Sequence, residues 1–267
     1  MAEHNALYQR AFYYDIALSR DVSREVDFIH AVYRRVTGSN LQSILEIACG
    51  PGYHARAFAR RGVQAIGLDL QPDMIAFARD KAQAEGLQIT WLAADMRHFE
   101  LPAPVNAAIC LFDALDALTR NEDLVQHLCH VAASLTPNGL YIVDLTHPRD
   151  VSLTHYGDFR YGGERDGIRV EITWATTEPK IDLVKGIAYT GLEIAIDDNG
   201  REIVIQDSAA ERLFVPQEIQ LLADLSAAFK VVGWYGDFDL NQPLDMSLQS
   251  KRMIAVLQKK AEGSQNG

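Results

Sequence analysis

The sequence predicts an α/β fold, a doubly wound, mostly parallel sheet with helices on both faces and an antiparallel β lobe inserted into it. Three observations predict it. Apolar strand-like runs at 44–47, 63–68, 89–94, 105–112 and 140–145 alternate with segments of helical period, the signature of a parallel sheet covered on both sides. Three of these runs end on or beside an acid, Glu46, Asp69 and Asp95, at the strand ends outside which ligands collect in such sheets. From 159 to 214 the helical period disappears and β-type runs follow one another instead.

The elements follow in order. Val22, Val26, Ile29, Val32, Tyr33 and Val36 recur at helical spacing over 20–36, and Gly38 ends that helix. After the run at 44–47 comes Gly50-Pro51-Gly52, then a helix-compatible stretch, 53–61, then the second strand, closed by Asp69. Pro72 opens a helix running to about 84, and Ile89-Thr90-Trp91-Leu92-Ala93-Ala94 reads as a strand entering Asp95-Met96. A buried fourth strand spans 105–112, a helix 121–135 and a fifth strand 140–145. Beyond it lie β-rich runs at 168–174, 185–196 and 202–215, the last two joined by the hairpin signal Asp198-Asn199-Gly200. Helix returns at 216–229, strands at 230–235 and 252–257, and a frayed tail closes the chain. The expected division is 1–147 plus 213–260 for the parallel sheet, 148–212 for the lobe and 261–267 for a disordered tail.

The chemistry gathers at the first three strand ends. Glycines at 50 and 52 let a ligand approach the backbone, and the helix behind them offers unpaired N–H groups. Asp69 stands 17 residues past Gly52, where a carboxylate can hold both hydroxyls of a ribose. An adenosine-type cofactor follows. The string Gly50-x-Gly52-x-x-Ala55 also satisfies the dinucleotide fingerprint. Glu46 favours a different ligand, because an acid four residues before the first glycine would face a pyrophosphate, whereas S-adenosyl-L-methionine carries an ammonium and a sulfonium. Asp95 suits an adenine amino group, with Met96 as an apolar flank. The plainer reading of each acid is a helix N-cap.

These residues resemble the class I S-adenosylmethionine-dependent methyltransferases. Glu46-x-Ala48-x-Gly50-x-Gly52 matches the family's first motif, Asp69 its second and Asp95-Met96 its third, while Leu135-Thr136-Pro137-Asn138-Gly139 is similar to its Leu-x-Pro-Gly-Gly turn. The resemblance covers about 10–147 and 213–258 and implies a Rossmann-like, seven-stranded, mostly parallel sheet. It implies a cofactor set of Tyr14, Glu46, Ala48, Cys49, Gly50, Gly52, His54, Asp69, Leu70, Asp95, Met96 and Leu111. Tyr14 comes from Tyr13-Tyr14-Asp15, similar to a family segment whose aromatic side closes over the methionine part, with a packing aromatic as the alternative. The inserted lobe resembles the one that covers the cleft in amino-sugar N,N-dimethyltransferases and glycine N-methyltransferase-like proteins. Gly236-Asp237-Phe238-Asp239 resembles a segment of small-molecule members and is expected to belong to the substrate lobe. The Asn/Asp-Pro-Pro-aromatic motif of enzymes that methylate amide or base nitrogens is replaced here by Leu111-Phe112-Asp113-Ala114-Leu115.

Composition narrows the rest. At 267 residues and 48% hydrophobic content, the chain suits one α/β domain with an insertion. A net charge of −11 and an isoelectric point near 5.1 argue against a nucleic-acid partner. Three cysteines, Cys49, Cys110 and Cys129, without a Cys-x-x-Cys pair fit a reducing compartment, and Cys49 reads as a small residue packed beneath the ligand. No leader is visible at the start and no run approaches a membrane span, so a cytoplasmic protein is expected, with no membrane partner and a homodimer as a candidate assembly. His127 and His130, three apart on a helix, lack a third ligand and read as solvated residues, so no metal is expected.

The expected reaction is methyl transfer to a small molecule, with an amine nitrogen as leading acceptor and oxygen or carbon next. His147, just past the fifth strand, is the candidate base or substrate partner, with a turn residue before Pro148 as the alternative. His54, which follows the glycine turn, is a candidate for the cofactor carboxylate from the helix N-terminus. An NAD-dependent oxidoreductase and a catalytically silent S-adenosylmethionine-binding protein are the alternatives from other classes. The lobe is expected to select the acceptor and to contribute little to cofactor binding.

Overall fold

The computed structural model of the protein describes residues 6–151, 159–174 and 180–261. The expected tail lies outside them apart from its first residue. The chain opens with α1 (Ala11–Leu18) and α2 (Ser23–Thr37), then runs β1 (Ser43–Ile47), α3 (Tyr53–Arg60), β2 (Gln64–Asp69), α4 (Pro72–Ala84), β3 (Ile89–Ala93), β4 (Val105–Cys110), α5 (Asn121–Ala133) and β5 (Leu135–Thr146). A second group follows: β6 (Arg160–Arg165), β7 (Ile168–Trp174), β8 (Lys180–Asp182), β9 (Ile187–Asp198) and β10 (Arg201–Arg212). The chain then returns through α6 (Pro216–Leu225), β11 (Phe229–Tyr235) and β12 (Arg252–Lys259).

The main sheet has seven strands in the order β3-β2-β1-β4-β5-β12-β11. Its first five pair in parallel, and β12 lies antiparallel between β5 and β11. This is the Rossmann-like sheet the sequence predicts. Strand direction explains the apolar runs, because both faces are covered. Leu45, Ile47, Ile66, Leu68, Cys110 and Val143 pack toward α5 and α6. Ile44, Ala65, Ala107, Ile109 and Ile142 pack toward α2 and α3. From β1 the order runs outward to β2 and β3, and from β4 the other way to β5. The crevice at this reversal, outside the carboxyl ends, is where such sheets bind ligands.

Strand β5 begins earlier than its apolar run. Val105 pairs with Leu135 and Ala107 with Leu140, so residues 136–139 loop out within the strand. Asn138 takes φ 62°, which asparagine tolerates, and a Cβ on Gly139 would stand 2.9 Å from the Thr136 carbonyl oxygen.

The second sheet is antiparallel in the order β10-β9-β7-β6, with β8 also on β9. Asn199 and Gly200 form the two-residue hairpin loop between β9 and β10, both at positive φ (53° and 90°), as a type I′ turn requires. The inner face of this sheet, Val170, Ile172, Leu192, Ile194 and Ile196, is covered by Leu7, Ile16, Ala17 and Leu18. On β6, a Cβ at Gly163 would stand 2.0 Å from the Ile16 carbonyl oxygen, so α1 lies directly on the lobe. The sequence boundary that gives all of 1–147 to the parallel sheet is corrected here for residues 7–18. An eight-residue helix without an apolar stripe carries no signal of which surface it covers.

The Gly236–Asp239 segment also departs from expectation. Phe238 meets Phe28 of α2 edge-on at 5.6 Å, and Asp237 pairs with Arg24. It belongs to the α2 side of the main sheet and not to the lobe. No helix among the described residues is long and apolar enough to cross a membrane.

Candidate active site

Outside the end of β1 the chain makes a tight turn in which Ala48, Gly50 and Gly52 all take positive φ (53°, 49° and 71°). Glycine accepts this freely, whereas Ala48 carries a strain of about 1–2 kcal/mol. Asp69 stitches the turn to β2. Its Oδ2 accepts the Gly50 N–H and its Oδ1 the Gln71 N–H, each at 2.8 Å, and only 9% of the residue is exposed. Burial raises the Asp69 carboxyl above the usual range, and the two backbone donors pull against that rise.

Trp91 of β3 supports the turn from the side, and the sequence reading missed it. A Cβ on Gly52 would stand 2.3 Å from the indole, and one on Gly67 would stand equally close at 2.3 Å. Two glycines far apart in sequence thus make room for one ring. Gly52→Ala should cost about 1–3 kcal/mol from overpacking, on top of its unfavourable φ. Thermal melts should show the loss, and adding Trp91→Leu should recover part of it. Additive losses in the double variant would sink this account of the contact.

Glu46 does not extend into the crevice. Its Oε2 accepts the Ala55 N–H at 2.7 Å and its Oε1 the His54 Nδ1–H at 2.8 Å, with both residues buried. The expectation that Glu46 directly faces a ligand ammonium is corrected to a brace beneath the turn. Its negative charge stays under the site, and so still disfavours a pyrophosphate. The other ring nitrogen of His54, Nε2, is buried without a protein partner among the described residues. Cys49 is buried as well, and its thiol is pushed well up by burial and by Glu46 and Asp69. That keeps it protonated, as a small packing residue would be.

The remaining cofactor candidates line the same strand ends. Asp95 follows β3 with its carboxylate gripped by Arg97, whose guanidinium holds it below the usual carboxylate range. Met96 gives its carbonyl to His127 Nδ1 at 2.8 Å. His127 is fully buried, not solvated as expected: its Nε2 accepts from the Tyr141 hydroxyl at 2.7 Å, and burial lowers its pKa to about 4. Leu70 is exposed past β2, while Leu111 is buried past β4. Tyr14 approaches the turn from α1, its ring 4.0 Å from the position of a Gly50 Cβ. Next to it, Asp15 accepts from Tyr53 Oη (2.9 Å) and from Arg165 Nη1 (2.7 Å), joining α1 to α3 and to the lobe.

Beyond β4 the backbone is strained again, with Phe112 and Asp113 at φ 59° and 63°. Asp144 accepts the Phe112 N–H at 3.0 Å, and Arg252 bridges Asp144 (2.7 Å) and Asp113 (2.9 Å). Held this way, the exposed Phe112 ring meets Tyr161 of the lobe edge-on at 5.8 Å. Asp116, one turn on, faces β10. Burial, then Glu211, then Asp113 push its carboxyl well above the usual range. Glu211 of β10 is buried and accepts from Trp174 Nε1 at 2.7 Å. The Tyr8 phenol, raised by burial, also senses Tyr14, Asp116, Glu211 and Asp69. The Tyr8 ring meets Tyr14 at 6.0 Å, so the tyrosines stand beside the cofactor turn, with the two carboxylates near enough to act on Tyr8.

His147 is not available there. It is 3% exposed, its Nδ1 accepts the Arg149 N–H at 3.1 Å, and its Nε2–H donates to the Asp245 carbonyl at 2.8 Å. With both ring nitrogens held by backbone it has no free lone pair to act as a base, so it fits the turn alternative. The sequence could have offered Asp116 instead, since it lies just past the fourth strand end. Glu211, Trp174 and Tyr161 carry no such signal, because only the placement of the lobe brings them in.

The turn fits an adenosine-type cofactor with a cationic end. Gly50 leaves the backbone open, with no protein atom nearer than Tyr14 at 4.0 Å over the position of its absent Cβ. Asp69 keeps lone pairs for a ribose, Glu46 places negative charge beneath, and the orphan nitrogen of His54 awaits a polar partner.

Comparisons agree with this geometry. A family model described as a methyltransferase domain matches residues 44–139. A dTDP-3-amino-3,6-dideoxy-alpha-D-glucopyranose N,N-dimethyltransferase of Streptomyces fradiae is 32% identical over 125 residues, 47% of this chain and 47% of its own. The chain thus spans about half the length of such curated relatives. Among solved structures, an S-adenosylmethionine-dependent methyltransferase from Clostridium acetobutylicum ATCC 824 superimposes with TM-score 0.76 at 16% identity, covering 96% of this chain and 100% of its own. A sugar N-methyltransferase from Streptoalloteichus sp. ATCC 53650 gives 0.73 at 19%, covering 94% and 92%. At these identities the structural likeness shows the fold. The motifs supply the rest: residues 44–139 form a methyltransferase domain with S-adenosylmethionine as its cofactor, and the chain is similar to the class I S-adenosylmethionine-dependent methyltransferases.

Proposed function

We propose that this protein transfers a methyl group from S-adenosylmethionine to an amine nitrogen of a small molecule. The observation that carries the reading is the pair of carboxylates, Asp116 and Glu211, acting on each other and on Tyr8, whose ring meets Tyr14 beside the cofactor turn at 6.0 Å. An amine reaches such a site as an ammonium, which acids attract and aromatic faces hold. To react it must lose a proton, and a carboxylate whose basicity has been raised by burial accepts one more readily than an ordinary one. The bound cofactor supplies the methyl group on a sulfonium. A nitrogen deprotonated by these acids would take that methyl group as the sulfur–carbon bond broke, which would leave the methylated amine and S-adenosylhomocysteine. Positioning and exclusion of water supply the remaining rate, roles suited to Tyr8, Tyr14 and Tyr161. The relatives named as sugar N,N-dimethyl- and N-methyltransferases support the same acceptor atom.

Calorimetry should show S-adenosylmethionine and S-adenosylhomocysteine binding, with NAD(H) silent. Incubation with methyl-labelled cofactor should then label amines in preference to phenols, catechols and carbon acids. Labelling of a hydroxyl or carbon acceptor in preference to every amine would replace this reading, and cofactor binding without product on any acceptor would point to a silent binder.

A further inference from the structure

Arg20, in the link between α1 and α2, is not used by the proposed chemistry, yet its guanidinium lies beside aromatic residues of the same site. It stacks over the Phe112 ring at 5.4 Å, and Phe112 in turn meets Tyr161. Its charge is felt by both the Tyr14 and the Tyr161 hydroxyls, which are otherwise raised by burial. Glu25, a buried acid at the start of α2, accepts a hydrogen bond from Arg20 Nη1, the one side-chain hydrogen bond Arg20 makes among the described residues. A guanidinium has five N–H donors, so this anchor fixes the fork and leaves the other nitrogens free to donate. The side chain remains 39% exposed. Arg20 thus presents a forked cation beside Phe112, close enough to Tyr14 and Tyr161 to act on both hydroxyls.

Resting on the amine reading above, we propose that Arg20 is a specificity-determining residue that binds an anionic group on the acceptor, so that the substrate is an amine bearing a carboxylate or a phosphate. A planar fork suits both anions, since each offers two oxygens. Stacking on Phe112 keeps the guanidinium in plane without consuming its donors.

The test uses the full chain loaded with S-adenosylhomocysteine and two matched pairs, glucosamine 1-phosphate with glucosamine and glycine with glycinamide. Affinity is read by calorimetry, so a binding result does not depend on turnover. At least one anion-bearing member should bind tenfold or more tightly than its uncharged partner. Arg20→Gln should collapse that ratio to within threefold, and Arg20→Lys should restore part of it. The pair that responds tells phosphate from carboxylate. Glu25→Gln controls for loss of the anchor, since it leaves the guanidinium in place and should keep most of the ratio. Equal affinity within both pairs, or a ratio that survives Arg20→Gln, overturns the proposal. Product assays on the same compounds report separately on methyl transfer: an Arg20-dependent ratio without methylated amine would retain the anion site and sink the proposed activity.

Discussion

Alanine at position 69 should weaken S-adenosylhomocysteine binding at least tenfold and also lower the melting temperature of the ligand-free protein. The first effect follows from the carboxylate's place at the end of β2, where it can accept from both ribose hydroxyls. Each charge-assisted bond is worth about 1.5–3 kcal/mol before water compensates, enough for a tenfold change even if most is recovered. The second effect is not expected from sequence, where Asp69 reads as a ligand contact that the empty protein would scarcely miss. The structure changes that expectation, because the same two oxygens hold the N–H groups of Gly50 and Gln71 at 2.8 Å. Removing them orphans two donors at a turn already bent through three positive φ values. A loss of roughly 1–3 kcal/mol in stability is the ordinary consequence of stranding buried polar groups. Calorimetry and thermal melts on Asp69→Ala and Asp69→Asn separate the effects. Asparagine keeps one acceptor, so it should recover part of the stability and little of the affinity. A dissociation constant within threefold of the native value would leave Asp69 as a brace for the turn and nothing more.

How far the site can be read from sequence depends on how local the information is. Glu46, Gly50, Gly52, Asp69 and Asp95 each sit at a strand end, and a parallel sheet brings consecutive strand ends together whatever the helices between them do. Their positions were therefore legible, although their partners were not. That Glu46 spends both oxygens on α3, and Asp95 both on Arg97, depends on rotamers that no periodicity encodes. The lobe is the opposite case. Its strands announce themselves, down to Asn199-Gly200, but strand pattern does not say which surface a sheet covers. So Trp174 and Glu211 stayed silent, and α1 was assigned to the wrong neighbour. That packing also bears on the lobe as a mere acceptor lid. Deleting 148–212 would uncover Leu7, Ile16, Ala17 and Leu18 and release the helix that carries Tyr14. Cofactor affinity should fall with it, against the expectation drawn from sequence.

Asp116→Asn should make the protein more stable at neutral pH while lowering kcat/KM for an amine by about 10- to 100-fold. Burial together with Glu211 and Asp113 raises the folded-state pKa of Asp116 above its unfolded value. The folded protein therefore binds this proton more tightly than the unfolded chain does. Its stabilising share is fully present below the unfolded pKa and is lost as pH rises through the folded one. Above that folded-state pKa the native protein carries the cost of a charge beside two other carboxylates. Asparagine, nearly isosteric with the protonated acid, does not. The difference in melting temperature between variant and native protein should thus be near zero around pH 4 and grow in the variant's favour as pH rises. For a chain of this size each kcal/mol amounts to about 2–4 °C. Activity moves the other way, because the variant can neither attract an ammonium nor take its proton, a loss of about 1.5–3 kcal/mol in transition-state stabilisation. Glu211→Gln provides a second arm, although the buried Trp174 bond makes a smaller gain in stability expected there. A stabilised but inactive Asp116→Asn is the mark of a residue kept for chemistry at the expense of the fold. Should the variant instead lose stability at neutral pH while methylating amines normally, Asp116 would be part of the scaffold, and the proton would have to leave by another route.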